Sequence, residues 1–496
     1  MEAVKAGNVS DKSIVDFEAR VIVLQELVVK KKRCLAVWPV DSHQFEKRLP
    51  TVGIGICGMN KNRKHREELA LSSSLGKRLR VLISAFSFSP SRGSEGAVGW
   101  NIATLLARDF DVTVLTGDLK AGEPYRKELE EYALANGYPP GISVRHVRPT
   151  NLIKTIEKLH HLPGQWWLYY HAYRLWQLEA YRVASRLHDD SPFALCHQLT
   201  FIGYREPGYL WKLGIPFFWG PIAGADTMPP AFYRMFSLRE IFRPLSRDLL
   251  NHIQKRTSVR ARRAARTASK IWVVSESDKM MVKRWGCESD LLLETGAANP
   301  GDIMPKELAA GATLKMVWSG LMVSRKAFPL MIEALARATH ALPWQLDVLG
   351  DGPLREQWTS LANNLGLHSH LNWHGNLPRS AAMEVMNSCH VLVHTGLREG
   401  TPHVVIEALS LGLPVICHDA CGMGVAVNST CGIKIPLLDP ETSIKGFASA
   451  ILQMRDQPGL LARFSAGALE RARQLGWTGI AAQIANAYRE NAPSIP

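Results

Sequence analysis

The stretch from 396 to 417, GLREGTPHVVIEALSLGLPVIC, constrains the fold more than any other part of the chain. Thr401 has the chemistry of a helix N-cap, because its hydroxyl can accept from an amide of the next turn. Pro402 follows at the position where a helix tolerates proline best. Residues 403–410 then read as a helix, Gly412 and Pro414 end it, and 415–417 start a buried strand. Glu399 therefore falls on a loop ahead of a helix amino end, and Glu407 falls inside the helix. Backbone amides and the positive end of the helix dipole favour an anion there. A carboxylate beside them accepts hydrogen bonds from hydroxyls. Two glutamates alone are more often a loop charge and a solvated helix residue. Here cap, helix and following strand agree, and the pair suits a ligand that is part phosphate and part polyol.

The rest of the chain repeats strand, loop and helix. Residues 79–85 (LRVLISA) read as a buried parallel strand, 86–96 as a Ser, Pro and Gly loop, 99–106 as a helix and 112–115 as the next strand. That order opens a doubly wound sheet. The loop lacks the full G-x-G-x-x-G spacing and carries no dinucleotide signature. Gly93 permits close backbone approach. Glu95 reads either as a hydrogen-bonding partner for a ligand or as a helix cap. A strand ending at 197 places His197 at the carboxyl edge of the sheet, where ligands bind in such folds, although a lone histidine is often structural. Residues 294–303, with Gly296, Asn299, Pro300 and Gly301, read as a link. Beyond it, strands at 315–319, 345–349, 370–374 and 391–394 bring the loops of Gly320, Arg325, Lys326, Gly350 and Glu399 to one edge.

A chain of 496 residues has room for two or three domains, and 46% hydrophobic with 21% charged residues describes a globular protein rather than a disordered one. The formal net charge of +14 favours anionic partners. It is concentrated over 234–270, where basic residues far outnumber Glu240 and Asp248. Leu238, Ile241, Phe242, Leu245, Leu249 and Leu250 recur beside them at helical spacing. A basic amphipathic helix of this kind is expected at an anionic membrane surface, the alternative being a solvated helix with an apolar inner face. Nucleic acid is not expected, because no base-reading motif accompanies the charge. The aromatic run over 166–176 reads as packing or as an acceptor-facing surface. The 8 cysteines lack paired C-x-x-C spacing and read as reduced residues of a cytoplasmic protein. Asp109-Phe-Asp111 sits at a turn into a strand and is not expected to hold a metal. No uncharged apolar run reaches the ~18 residues of a membrane span, so the expected location is cytoplasmic, peripheral on the inner face of the membrane.

The pattern E-G-T-P-x-V-V-x-E-A-L-x-x-G-x-P-V, from Glu399 to Val415, resembles the E-x7-E region of retaining glycosyltransferases of the GT-B fold, the family 4 group, also described as glycosyl transferases group 1. The resemblance covers about 78–490. It implies an α/β, GT-B architecture: two Rossmann-like doubly wound domains facing a cleft. Residues 1–75 show no sustained period and are expected to be a poorly ordered extension; the resemblance implies an acceptor domain over 76–297, a nucleotide-sugar domain over 298–475 and a C-terminal helix over 476–496 packing back on the first domain. It also implies sugar transfer with retention from a UDP- or GDP-linked sugar to a glycan or lipid-linked acceptor, in cell-surface polysaccharide or lipopolysaccharide synthesis. The donor is a co-substrate; no cofactor and no metal are implied.

On this resemblance Lys326 holds the leaving diphosphate, Glu399 the donor-sugar hydroxyls and Glu407 the ribose. His197 lies near the transferred sugar. Gly320, Gly350, Gly400, Thr401, His403, Gly93 and Glu95 line the donor side of the cleft. The family's arginine after the glycine is here Leu321, which leaves Arg325 to supply the second cation. Two other readings stay open: a nucleotide-sugar epimerase on the same fold, and a catalytically silent nucleotide-sugar binding protein.

Overall fold

The computed structural model describes residues 78–92, 95–119, 124–162, 165, 167–338, 343–457 and 459–492. The expected extension over 1–75 and Gly93 lie outside the described residues. Residues 77–158 and 169–496 cluster as one unit that holds two sheets.

The first sheet orders its strands β3-β2-β1-β4-β5-β6-β7. They are β1 (Arg80–Ala85), β2 (Asp111–Gly117), β3 (Ile142–Val147), β4 (Leu195–Thr200), β5 (Phe217–Ile222), β6 (Ala268–Val273) and β7 (Asp290–Leu291). The second orders β10-β9-β8-β11-β12-β13: β8 (Leu314–Ser319), β9 (Trp344–Leu349), β10 (Leu371–Gly375), β11 (Val391–His394), β12 (Val415–His418) and β13 (Gly432–Ile435). The strand pairs are parallel in both sheets. Parallel strands are covered on both faces, which is why they read as unbroken apolar runs such as VLISA and VLV rather than as alternating ones. In each sheet the winding reverses once, between β1 and β4 and between β8 and β11. Ligands of open α/β sheets bind outside the strand ends at that switch point. Here the β8 loop carries Lys326 and the β11 loop carries Glu399.

Six helices position the site: α1 (Glu95–Leu106), α2 (Leu168–Asp190), α3 (Leu238–Thr257), α4 (His403–Ser410), α5 (Cys421–Ala426) and α6 (Trp477–Asn491). The aromatic run falls mainly on α2, where Tyr173 and Trp176 are fully buried against Phe86 and Phe217. α6 returns from the second lobe and buries Ile480, Ile484 and Tyr488 with Val98, Ile102 and Phe110 of the first. The link enters the same seam, since Ala297 N donates to Leu475 O at 2.9 Å.

α3 carries the basic stretch for which the sequence left a membrane-facing and a solvated reading open. Its amino end is closed by Glu240, which accepts from Ser237 N at 3.0 Å. Its apolar residues do not all turn inward: Phe242 is 56%, Leu245 48% and Leu249 61% exposed.

Candidate functional site

The loop after β8 closes with a short turn, Ser324–Lys326, ended by Ala327 at a left-handed φ of 46°. That turn is tied to the loop after β11 by backbone-level bonds. Thr395 Oγ1 donates to Lys326 O at 2.7 Å and accepts from Trp318 Nε1 at 3.0 Å. Leu397 N donates to Arg325 O at 2.9 Å. With both loops fixed, Lys326 Nζ stands 2.9 Å and Arg325 Nη1 2.7 Å from the same Glu399 oxygen, Oε1. Lys326 and Glu399 are largely buried, while the Arg325 side chain is half-exposed. Leu321, where the resemblance leads one to look for an arginine, is exposed, and Arg325 is the second cation at Glu399.

The glycines beneath are required by approach. At Gly350 φ is +115°, and a Cβ there would lie 2.1 Å from Gly320 O. A Cβ on Gly320 would meet Lys326 Cε at 3.3 Å. His394, at the end of β11, is fully buried with neither ring nitrogen hydrogen-bonded, and a Cβ on Gly396 would lie 2.8 Å from its Nε2. Burial, then the neighbouring Lys326, holds its pKa well below the usual imidazole value, so it adds no charge to the pocket.

The helix start departs from expectation. α4 spans His403–Ser410, but Pro402 is the cap residue, not the first helical one. Thr401 does not cap the helix. Its hydroxyl donates to Glu294 Oε2 at 2.5 Å and its amide to Glu294 Oε1 at 2.6 Å. A buried carboxylate offering two oxygens outcompetes the helix amides for that hydroxyl. Glu294 also explains Gly400, where a Cβ would lie 2.7 Å from Glu294 Oε1. His403 Nδ1 stands 3.3 Å from Thr295 Oγ1, so the link residues brace the start of α4. Glu407 lies one turn from the end of that helix and accepts from Arg379 Nε and Nη2 at 3.0 and 2.7 Å. Glu399 N donates to Cys421 Sγ at 3.4 Å, and Cys421 itself sits at φ 56°. Burial keeps that thiol protonated, with a pKa well above its ordinary value.

His197 is the main correction in the first lobe. It is fully buried on β4, with Nδ1 2.6 Å from Tyr488 Oη and Nε2 2.7 Å from Gly220 O. Both ring nitrogens are used by protein atoms, so the residue pins α6 to the sheet and does not face a sugar. Burial lowers its pKa to about 4 against the pull of the Gly220 carbonyl. Glu95 opens α1 and turns its carboxylate to Ile202 N at 3.5 Å. Burial pushes that carboxyl up, and Glu294 adds to the push. Ile202 also lies 3.6 Å from a Cβ built on Gly400, so the first-lobe loop meets the Glu399 loop here. Near this seam Ser275 Oγ bridges Asp226 and Asp278 at 2.8 and 2.7 Å. Burial, then Asp226, raises the Asp278 carboxyl to about 7.

Sequence reasoning singled out neither Glu294, His394 nor Arg379. Glu294 follows a two-residue strand and carries no local pattern; only the position of Thr401 reveals it. Among the described residues no cluster of His, Cys, Asp or Glu could hold a metal ion. Lys326, Arg325 and Glu399 carry one net positive charge at the amino end of α4, a setting suited to an anionic group flanked by hydroxyls.

Two doubly wound parallel sheets, with this ion-paired pocket at a switch point, define a protein of the GT-B fold. Residues 302–471 match the family described as "Glycosyl transferases group 1". An "Uncharacterized glycosyltransferase" of Haemophilus influenzae is 27% identical over 210 residues, 40% of this chain and 58% of that protein. The lipopolysaccharide core biosynthesis glycosyltransferase LpsD of Rhizobium meliloti is 30% identical over 159 residues, 32% of this chain and 44% of its own. The chain thus spans about half the length of these curated relatives. Among solved structures, the lipopolysaccharide outer core galactosyltransferase WaaB superposes with a TM-score of 0.58 at 15% identity, covering 83% of this chain and 99% of that one. HepE of Anabaena, in complex with UDP and glucose, gives 0.51 at 15% identity, covering 83% and 100%. These likenesses carry the fold.

Proposed function

We propose that the chain is a glycosyltransferase that moves a hexose, with retention of configuration, from a nucleotide-diphosphate sugar to a glycan or lipid-linked acceptor. The observation that carries this reading is the convergence of Lys326 and Arg325 on one oxygen of Glu399 at the switch point of the second sheet. Lys326 and Arg325 stabilise the negative charge that grows on the leaving diphosphate, and the dipole of α4 adds to it. Glu399 orients the two cations and offers its second oxygen to sugar hydroxyls. Glu407, steered by Arg379, accepts from the ribose. Burial of Lys326 and Glu399 keeps these charges strong, because water screens them little.

The family match and the lipopolysaccharide enzymes among the relatives support this reading and an acceptor in cell-surface glycan synthesis. Among the described residues no helix is long and apolar enough to cross a membrane. The exposed stripe Phe242, Leu245 and Leu249 on a basic helix favours contact with an anionic membrane face.

A thermal-shift series with UDP-, GDP- and ADP-sugars tests the donor. One of them is expected to raise the melting temperature, because a ligand of the folded state alone stabilises it. No shift with any of them would remove the donor reading.

A further inference from the structure

Three guanidinium groups from three separate elements converge next to the donor pocket. Arg398 precedes Glu399 on the loop after β11, Arg247 stands on α3, and Arg205 stands on the loop after β4. Asn251 lies one turn after Arg247 on the same helix face, and its Oδ1 accepts from Arg205 Nη2 at 2.6 Å. Gln254, a further turn on, accepts from Arg205 Nε. From the second lobe, Arg398 Nη1 reaches Asp248 Oδ1, on the residue after Arg247, at 2.8 Å. Although Arg247 keeps a solvent-exposed face, desolvation by the protein atoms around it, then the charges of Arg398 and Arg205, lower its pKa to about 10.

The local charge is unbalanced. Asp248 is ion-paired with Arg398. Arg205 rests on two neutral amides and on the Tyr204 ring, 4.6 Å from its centroid. Arg247 is exposed, and no described hydrogen bond or ion pair neutralises it. Three cations therefore meet one bonded carboxylate, leaving two positive charges. Like charges held together cost free energy until a counter-charge arrives. Of the five N–H donors on Arg398, the bond to Asp248 uses one.

We propose that Arg205, Arg247 and Arg398 form a subsite for a phosphate group carried by the acceptor, beside the Glu399 pocket. A phosphate matches both the residual charge and the forked donors, which grip tetrahedral oxyanions two oxygens at a time. The word acceptor rests on the glycosyl-transfer reading; the affinity for phosphate does not. The phosphate is either free on a soluble acceptor or the headgroup of a lipid whose chains lie along Phe242, Leu245 and Leu249.

The test is calorimetric titration of the full chain, saturated with UDP, by inorganic phosphate and separately by monomeric dihexanoyl phosphatidic acid. Arg247→Gln, at an exposed helix position, is expected to weaken the phosphate probe about tenfold while UDP affinity holds. Arg247→Lys is expected to recover part of the loss. Lys326→Gln is expected to do the reverse, weakening UDP and sparing phosphate. A drop with both probes assigns the subsite to the phosphate group itself; a drop with phosphatidic acid alone assigns it to a lipid phosphate. The subsite is refuted if Arg247→Gln binds both probes as tightly as the unaltered chain, or if neither probe binds the unaltered chain. If UDP alone fails to bind, the donor reading falls and the phosphate comparison still stands.

Discussion

At the scale of single residues, two side chains of similar appearance in the sequence have opposite fates. Lys326 reaches Glu399 and is a candidate for leaving-group stabilisation. Lys326→Met is expected to lower turnover by about 10²–10³-fold, as loss of one preorganised charge contact does, with the melting temperature little changed. A radiolabelled sugar-transfer assay checks it. His197 instead holds Tyr488 and Gly220. His197→Phe leaves both buried partners unpaired and is expected to cost about 2–4 kcal/mol at pH 7.5. The sign of its pH dependence follows from a folded pKa of about 4 against 6.5 when unfolded. Between those values the unfolded chain binds the extra proton, so His197 weakens the native protein as pH falls from 6.5 to 4. The stability gap between the two proteins is therefore expected to narrow by about 3 kcal/mol over that window. Denaturant titrations at a series of pH values measure it, and the comparison cancels the opposing titration of Asp278. A gap that stays constant would contradict the buried, neutral imidazole.

At the scale of elements, α3 does two things that its sequence alone leaves ambiguous. One face carries Arg247 and Asn251 toward the seam, and another leaves Phe242, Leu245 and Leu249 exposed. Pairing Phe242→Ser with Leu249→Ser is expected to change folding stability by about 0.5 kcal/mol or less, as exposed substitutions usually do. The same pair is expected to abolish co-sedimentation with vesicles containing phosphatidylglycerol. If the double variant sediments as the unaltered chain does, α3 is not the membrane contact. The start of α4 teaches a related point. Its span of His403–Ser410 was readable from sequence, yet the partner that takes the Thr401 hydroxyl away from the helix was not, because Glu294 is more than a hundred residues away.

At the scale of the molecule, α6 makes the two lobes one cooperative body. It leaves the second lobe and buries Ile484 in the core of the first. Ile484→Ala is expected to cost about 2–5 kcal/mol through the cavity it leaves and to lower the unfolding temperature of both lobes together in calorimetry. Separate transitions for the two lobes would contradict that coupling.

What the sequence determined by itself was everything set by short-range pattern. Apolar runs bounded by glycine marked the parallel strands, and the spacing from Glu399 to Pro414 marked loop, helix and strand in the right order. The doubly wound order then followed, and with it the convergence of Lys326, Arg325 and Glu399, because strand ends of such sheets share one edge. Tertiary structure decided the partners. It gave Thr401 to Glu294, His197 to Tyr488 and Gly220, and Arg398 to Asp248. Each of those bonds joins residues far apart in the chain. Local propensity is blind to them, because a hydrogen bond goes to whichever buried donor or acceptor the finished packing brings within reach.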